Sequence, residues 1–241
     1  MYITEPCKVT LRDNWLKRNG QSIAACLSEP REAFVFTFEN ALSEDLMRAR
    51  SGGAAPHARG EAYPHCKHCT HPLRFVGTLD FRGTPQRQWV PGDALTLRMC
   101  FPCDPNGSEA VLSWLRQDQP LTPHQPENSG GKSLLGVAWP VMDYRWDWNS
   151  DLWGRKDSTR GTLGLSPFTG ITVFGSKVGG HLCWIQGDQT PLCRCRTPMR
   201  FIGQFFGDPA LGTMFGDSGL AYLFHCSEQR CGDAKVVIQS F

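Results

Sequence analysis

Residues 191–206 read PLCRCRTPMRFIGQFF, and a second version stands upstream at residues 64–81, PHCKHCTHPLRFVGTLDF. With Cys69 laid on Cys195, the next eight positions run on without a gap: Pro, Arg, Phe and Gly recur, while Leu73/Met199 and Val76/Ile202 are near-isosteric swaps. The register then persists. Cys100 follows Cys69 by 31 positions, Cys226 follows Cys195 by 31, and each has a companion soon after, Cys103 and Cys231. The chain therefore carries one unit twice.

Each copy has the same order: cysteine pair, apolar β-like run (Leu73 to Leu79; Met199 to Phe206), Gly/Pro-rich turn, second β-like run (Leu95 to Met99; Leu220 to Phe224), cysteine pair. If the two runs pair antiparallel, both cysteine pairs meet at one end of the ladder. Four thiolates then converge, the all-sulfur tetrahedral set that zinc prefers. The expected ligands are Cys66, Cys69, Cys100 and Cys103 in the first copy and Cys193, Cys195, Cys226 and Cys231 in the second, giving two structural zinc sites. The C-x-x-C pairs of the first copy are the stronger signal; the C-x-C and C-x-x-x-x-C of the second gain weight from the repeat. Eight reduced core cysteines are the bland alternative, but packing does not explain four close pairs in matched register. His65, His68, His71 and His225 stand near enough to replace one ligand. Cys7, Cys26 and Cys183 fall outside the tetrads, show no local base, and read as small core residues.

The chain has 241 residues, 40% of them hydrophobic, and eleven cysteines. That content supports a buried core, and no apolar run approaches a bilayer span. The opening MYITEPCKVTLRDNW lacks the apolar stretch of roughly 7–15 residues of a secretory signal, so the expected compartment is the cytoplasm. Cytosolic thiols are kept reduced, which favours metal over disulfides. A net charge of +2, from 25 basic and 23 acidic residues, makes no electrostatic case for nucleic acid. Neither a membrane nor a small-molecule substrate is expected as a partner.

The alternating Phe34, Phe36 and Phe38 predict a strand, whereas Ala41, Leu42, Leu46 and Met47 are spaced for a helix, with another short helix around Asn14 to Arg18. The expected class is α+β, β-rich: an internally duplicated antiparallel-sheet fold with two zinc-stapled units. Its N-terminal half spans 1–116 with the first cysteine unit at 63–116. A Pro/Gln/Asn/Gly-rich linker covers 117–133, and the C-terminal half spans 134–241 with the second unit at 181–241. The two halves are expected to pack as one body.

GDSGL, Gly216 to Leu220, has the look of a serine-protease nucleophile, but no segment supplies the matching histidine and aspartate, and a turn explains it. GSKVGG, Gly175 to Gly180, lacks phosphate-loop spacing and reads as a tight bend or bulge. The stretch DYRWDWNSDLW puts Tyr144, Trp146 and Trp148 on one strand face and Arg145, Asp147 and Asn149 on the other. A core face is the ordinary reading. The other is a partner-binding surface formed by Asp143, Tyr144, Arg145, Trp146, Asp147, Trp148 and Asp151, because Trp, Tyr and Arg concentrate binding energy.

SKVGGHLCWIQ, TPLCRCRTPMRFIGQFF, GDSGLAYLFHC and the terminal VVIQSF together resemble the YwqG-like family, a bacterial domain of unknown function. The likeness is clearest over 176–241, where Gly179, Gly180, Gln204, Gly216, Asp217 and Gly219 match positions at which that family commonly has Gly, Gln or Asp. The cysteine pattern is also similar to programmed cell death protein two and its relatives, which are linked to ribosomal-protein chaperoning. The resemblance implies a duplicated β-rich fold without established catalytic residues. Some bacterial members look like immunity proteins encoded beside polymorphic or type VI secreted toxins. The expected function is thus a non-enzymatic, zinc-stabilised immunity protein that occludes a cognate toxin, such as a nuclease. A chaperone-like adaptor for another cytosolic protein is the alternative. A metal or thiol enzyme comes third, for want of an open metal position or a nucleophile with a base.

Overall fold

The computed structural model describes residues 31–39, 43–124, 133–143 and 175–240, apart from 183, 208–212, 217–218, 227 and 229–230. Among these, every regular element is a strand except one turn of 3-10 helix at Pro85–Trp89. The strands are β1 (Arg31–Glu39), β2 (Arg50–Gly52), β3 (Ala55–Ala58), β4 (Arg74–Asp80), β5 (Ala94–Met99), β6 (Val111–Leu115), β7 (Leu121–His124), β8 (Ser133–Asp143), β9 (Lys177–Gly179), β10 (Arg200–Phe206), β11 (Leu220–His225) and β12 (Ala234–Gln239). Over the described residues the fold is therefore nearly all β, which corrects the α+β expectation. β7 lies within the stretch read as linker.

The helix expected across Ala41 to Met47 gives way to turns over 43–49. Ser43 Oγ accepts from the Asp45 amide, and Asp45 Oδ1 from the Met47 amide, so short polar side chains satisfy donors that a helix needs. Met47 still buries, against Ala94 and Leu115, but from a turn. The second expected helix, at Asn14 to Arg18, lies outside the described residues.

Ten strands form one antiparallel sheet in the order β12-β11-β10-β9-β1-β8-β2-β4-β5-β6, and β3 pairs β7 in a separate two-stranded arm. The order is a mirror of itself about the β1/β8 pair. β9 and β2 are equivalent: Lys177 pairs Gln204 as Arg50 pairs Thr78, and Val178 pairs Gly203 as Ser51 pairs Gly77. Both strands run into two left-handed glycines, Gly52–Gly53 and Gly179–Gly180, conformations that a Cβ disfavours. This bears out the bend read in GSKVGG.

The long first strands are exchanged. β1 leads into the first half yet pairs β9 of the second, while β8 leads into the second half yet pairs β2 of the first. Because Phe34 faces Val178 as Leu134 faces Ser51, the β1/β8 ladder must be centred on a pseudo-twofold axis, and Thr37↔Val137 sits on it. The halves are thus interlocked by main-chain hydrogen bonds.

The sheet curls until its end strands β12 and β6 come side by side, nearly closing a barrel. Phe36, Val76, Leu79, Leu97, Val178, Ile202, Phe205 and Leu223 fill its inside. Bulges in β4 and β10 fall at the same repeat position, between Phe75 and Gly77 and between Phe201 and Gly203. A Cβ on Gly77 would lie 2.5 Å from the Arg50 carbonyl and 2.8 Å from Phe205; one on Gly203 would lie 2.6 Å from the Lys177 carbonyl and 2.8 Å from Leu79. The repeat thus packs each half's glycine beneath the other half's apolar side chain, which explains why Gly77 and Gly203 are shared.

Candidate metal centres

Each tetrad is assembled by a hairpin and a knuckle. In the first, Thr70 N donates to Cys66 O and Cys66 N to His71 O (2.9 and 2.8 Å), with a bridge between His65 and Pro72. In the second, Arg196 N donates to Cys193 O and Cys193 N to Thr197 O (2.8 and 2.9 Å), with a bridge between Leu192 and Pro198. The residue after the second knuckle cysteine has positive φ in both copies, 60° at Thr70 and 67° at Arg196. Non-glycine residues seldom adopt that conformation, and its recurrence marks a turn held in place to aim two sulfurs together. β4–β5 and β10–β11 then carry the other pair to the same end, as the repeat predicts.

The result is two groups, Cys66/Cys69/Cys100/Cys103 and Cys193/Cys195/Cys226/Cys231, whose sulfurs all lie within 4.8 Å of one another. Cys69 and Cys100 are 3.7 Å apart, Cys195 and Cys226 3.6 Å, and Cys195 and Cys231 4.0 Å. A tetrahedral ion with metal–sulfur bonds of about 2.3 Å separates its sulfurs by about 3.8 Å. Cys193 and Cys231 approach closer, 2.8 Å, yet remain beyond the roughly 2.05 Å of a disulfide. Both groups can hold a metal ion.

Nearby histidines are bound elsewhere than as ligands: His65 to the Tyr63 carbonyl, His68 to Glu109, and His71 to the Cys69 carbonyl while its hydrogen bonds also support the Cys69 thiol. His225 stands edge-on to Trp114 across the barrel seam. Both groups consist of sulfur alone.

Without metal, the thiols divide the protons unevenly. Hydrogen bonds from His71 hold Cys69 down to about 6, while neighbouring Cys69 and Cys100 push Cys103 up to about 12. Hydrogen bonds from Thr197 bring Cys195 to about 6, and burial raises Cys193. Four negative sulfurs so close together need a cation. Metal loading keeps the thiols ionised, so its stabilisation is complete in alkali and is lost as protons compete on acidification. We expect metal release to grow on acidification, with Cys69 and Cys195, whose thiols are held low, among the last ligands to take a proton. A metal-indicator titration at stepped pH measures this; retention that does not change with pH down to acid unfolding would contradict it.

In the strand order, five antiparallel steps separate β4 from β10, so their N-terminal ends, and the two tetrads, lie at opposite rims of the barrel. A loop secures the first rim. Asp104, buried, accepts from Ser108 N and Oγ (3.0 and 2.8 Å) and from Glu109 N (2.6 Å). That holds Gly107, with φ 71°, against Ile238 of β12. Sequence reasoning passed over Asp104, although an Asp directly after the last ligand is a recognisable turn signal. Asp104→Ala should lower the melting temperature by several degrees, as loss of about 1–2 kcal/mol does in a chain this size; an unchanged calorimetric transition would refute the role.

Of the residues read as a partner surface, Tyr144, Arg145, Trp146, Asp147, Trp148 and Asp151 lie outside the described residues, and Asp143 ends β8. Cys7, Cys26, Cys183, Asp217 and Ser218 are likewise outside them. No helix among the described residues is long and apolar enough to cross a membrane. No family model and no curated protein matches the sequence.

Proposed function

We propose that this chain is a non-enzymatic binding protein whose two four-cysteine centres hold structural zinc. One observation carries the reading: each centre supplies four sulfurs and no weaker ligand. All-thiolate sites select zinc among redox-inert ions, and four protein ligands leave no position for water or substrate. Each ion then staples a strand pair, leaving the surface free for recognition.

Within this reading, the YwqG-like motifs favour a cytoplasmic immunity protein that covers a secreted toxin's active site, over an adaptor for a ribosomal protein. A near-neutral charge argues against broad electrostatic mimicry and for a compact aromatic and hydrogen-bonded contact. The test is capture of partners from source-cell extract on zinc-loaded protein, followed by calorimetry with the purified catch. A secreted toxin supports immunity, a ribosomal protein supports the adaptor, and catalytic turnover of a small substrate would overturn both. Reversing the charges of Arg145 and Asp147 together is expected to weaken that complex by about 2 kcal/mol or more while sparing zinc content. Unaltered affinity in the folded variant would place the surface elsewhere.

A further inference from the structure

The duplication supplies an internal control. On the outer face of β11 in the second half, Phe224 stacks on Trp184 (5.7 Å between centroids), and Tyr222 and Phe201 complete an aromatic cluster. The equivalent positions of the first half are Arg98, Thr96 and Phe75, as the matched registers of β4–β5 and β10–β11 show. A buried guanidinium therefore stands where the other half buries a phenyl ring.

Arg98 is 1% exposed. Its Nη1 donates to Thr96 and Ser113, its Nη2 to the Pro56 carbonyl of β3, and its guanidinium lies 5.4 Å from the centre of the Tyr63 ring. No carboxylate bonds to it among the described residues. Above it, Tyr63 stacks on His124 of β7 at 3.9 Å, and His57 of β3 lies 6.2 Å from His124 and edge-on to Tyr63. The Tyr63 hydroxyl donates to the Leu73 carbonyl, and His57 Nε2 to the Glu61 carbonyl. The β3–β7 arm is thus fastened to the sheet through His57, Tyr63, His124 and Arg98. The charged or titratable groups facing His124 are His57 from β3, Tyr63 and His65 from the connection, and Arg98 from β5, with the Glu61 charge acting on Arg98.

We propose that the β3–β7 arm is an acid-released clasp, shut while the His124 ring is neutral against Tyr63 and opened when that ring gains a proton beside Arg98 and His57. Closure disfavours the proton: burial, then His57, Arg98 and His65, lower the His124 value. The open arm binds the proton as an ordinary histidine does, near about 6.5. Closure is therefore fully stable above that range and weakens as pH falls through it. Release uncovers the outer faces of β4 and β5, including Phe75 and Arg98, beside the first metal centre. The second half, with phenyl and indole at these places, has no such response.

Hydrogen exchange read by mass spectrometry on the zinc-loaded chain tests this, with rates corrected for intrinsic pH dependence. Between about pH 7.5 and 5.5, a span that brackets the ordinary histidine value, amides of 55–58 and 121–124 are expected to lose protection by about twofold or more, while the Trp184–Gln186 segment keeps its own and zinc content is followed in parallel. His124→Gln is expected to abolish the change. Should that variant leave the arm open at both pH values, Arg98→Met serves instead and is expected to shrink the acid effect, by the share that Arg98 adds to burial and His57. Protection independent of pH in wild type, full acid opening in His124→Gln, an undiminished effect in Arg98→Met, or opening that merely tracks zinc loss would each overturn the proposal.

Discussion

Protein purified without added metal is expected to carry two zinc ions per chain, and stripping them is expected to unfold it. The free energy of filling such a site is folding free energy, about 10 kcal/mol or more apparent per structural zinc in peptides. That exceeds most of what a domain has in reserve. Cys66→Ser and Cys193→Ser each remove a buried ligand, and each should cost one zinc and the cooperative thermal transition. Because β1 and β8 are exchanged between halves, losing either centre should loosen the whole sheet, and not merely one half. Elemental analysis with calorimetry decides it. Metal near zero with all eleven thiols titrating in the folded protein would refute the tetrads as metal sites, and two intact transitions would refute the interlock.

Gly203→Val is the second severe case. The Cβ alone would come within 2.6 Å of the Lys177 carbonyl, a backbone atom of the neighbouring strand that cannot rotate aside, and 2.8 Å from Leu79. Valine adds two methyl groups to that clash. The variant has either to break the β9–β10 pairing or to push Leu79 out of the barrel; about 3 kcal/mol or more is expected from overpacking of this kind. Gly77→Val should behave alike, since Arg50 and Phe205 stand in the equivalent places. By contrast, a Cβ at Gly60 meets nothing within 4 Å, so Gly60→Ala should cost only the strain of its positive φ, about 1 kcal/mol. Denaturant unfolding measures all three, and a Gly203→Val midpoint equal to that of Gly60→Ala would sink the argument.

Much of this was legible in the chain because it depends on local spacing. The register linking Cys69 to Cys195 and Cys100 to Cys226 identified the repeat, both tetrads and four core strands, since knuckles and hairpins are short-range structures whose geometry is set by a few neighbouring residues. The helix expected at Ala41 to Met47 failed for the opposite reason: its apolar spacing was genuine, but Ser43 and Asp45 took the backbone donors and Met47 buried from a turn. Periodicity reports which residues seek the core, not which main-chain path takes them there. The exchange of β1 and β8, the placement of the tetrads at opposite rims, and the meeting of His57, Tyr63 and His124 over Arg98 were fixed only by the tertiary fold. These are pairings between strands far apart in the chain, and no local pattern encodes which distant edge a strand will join.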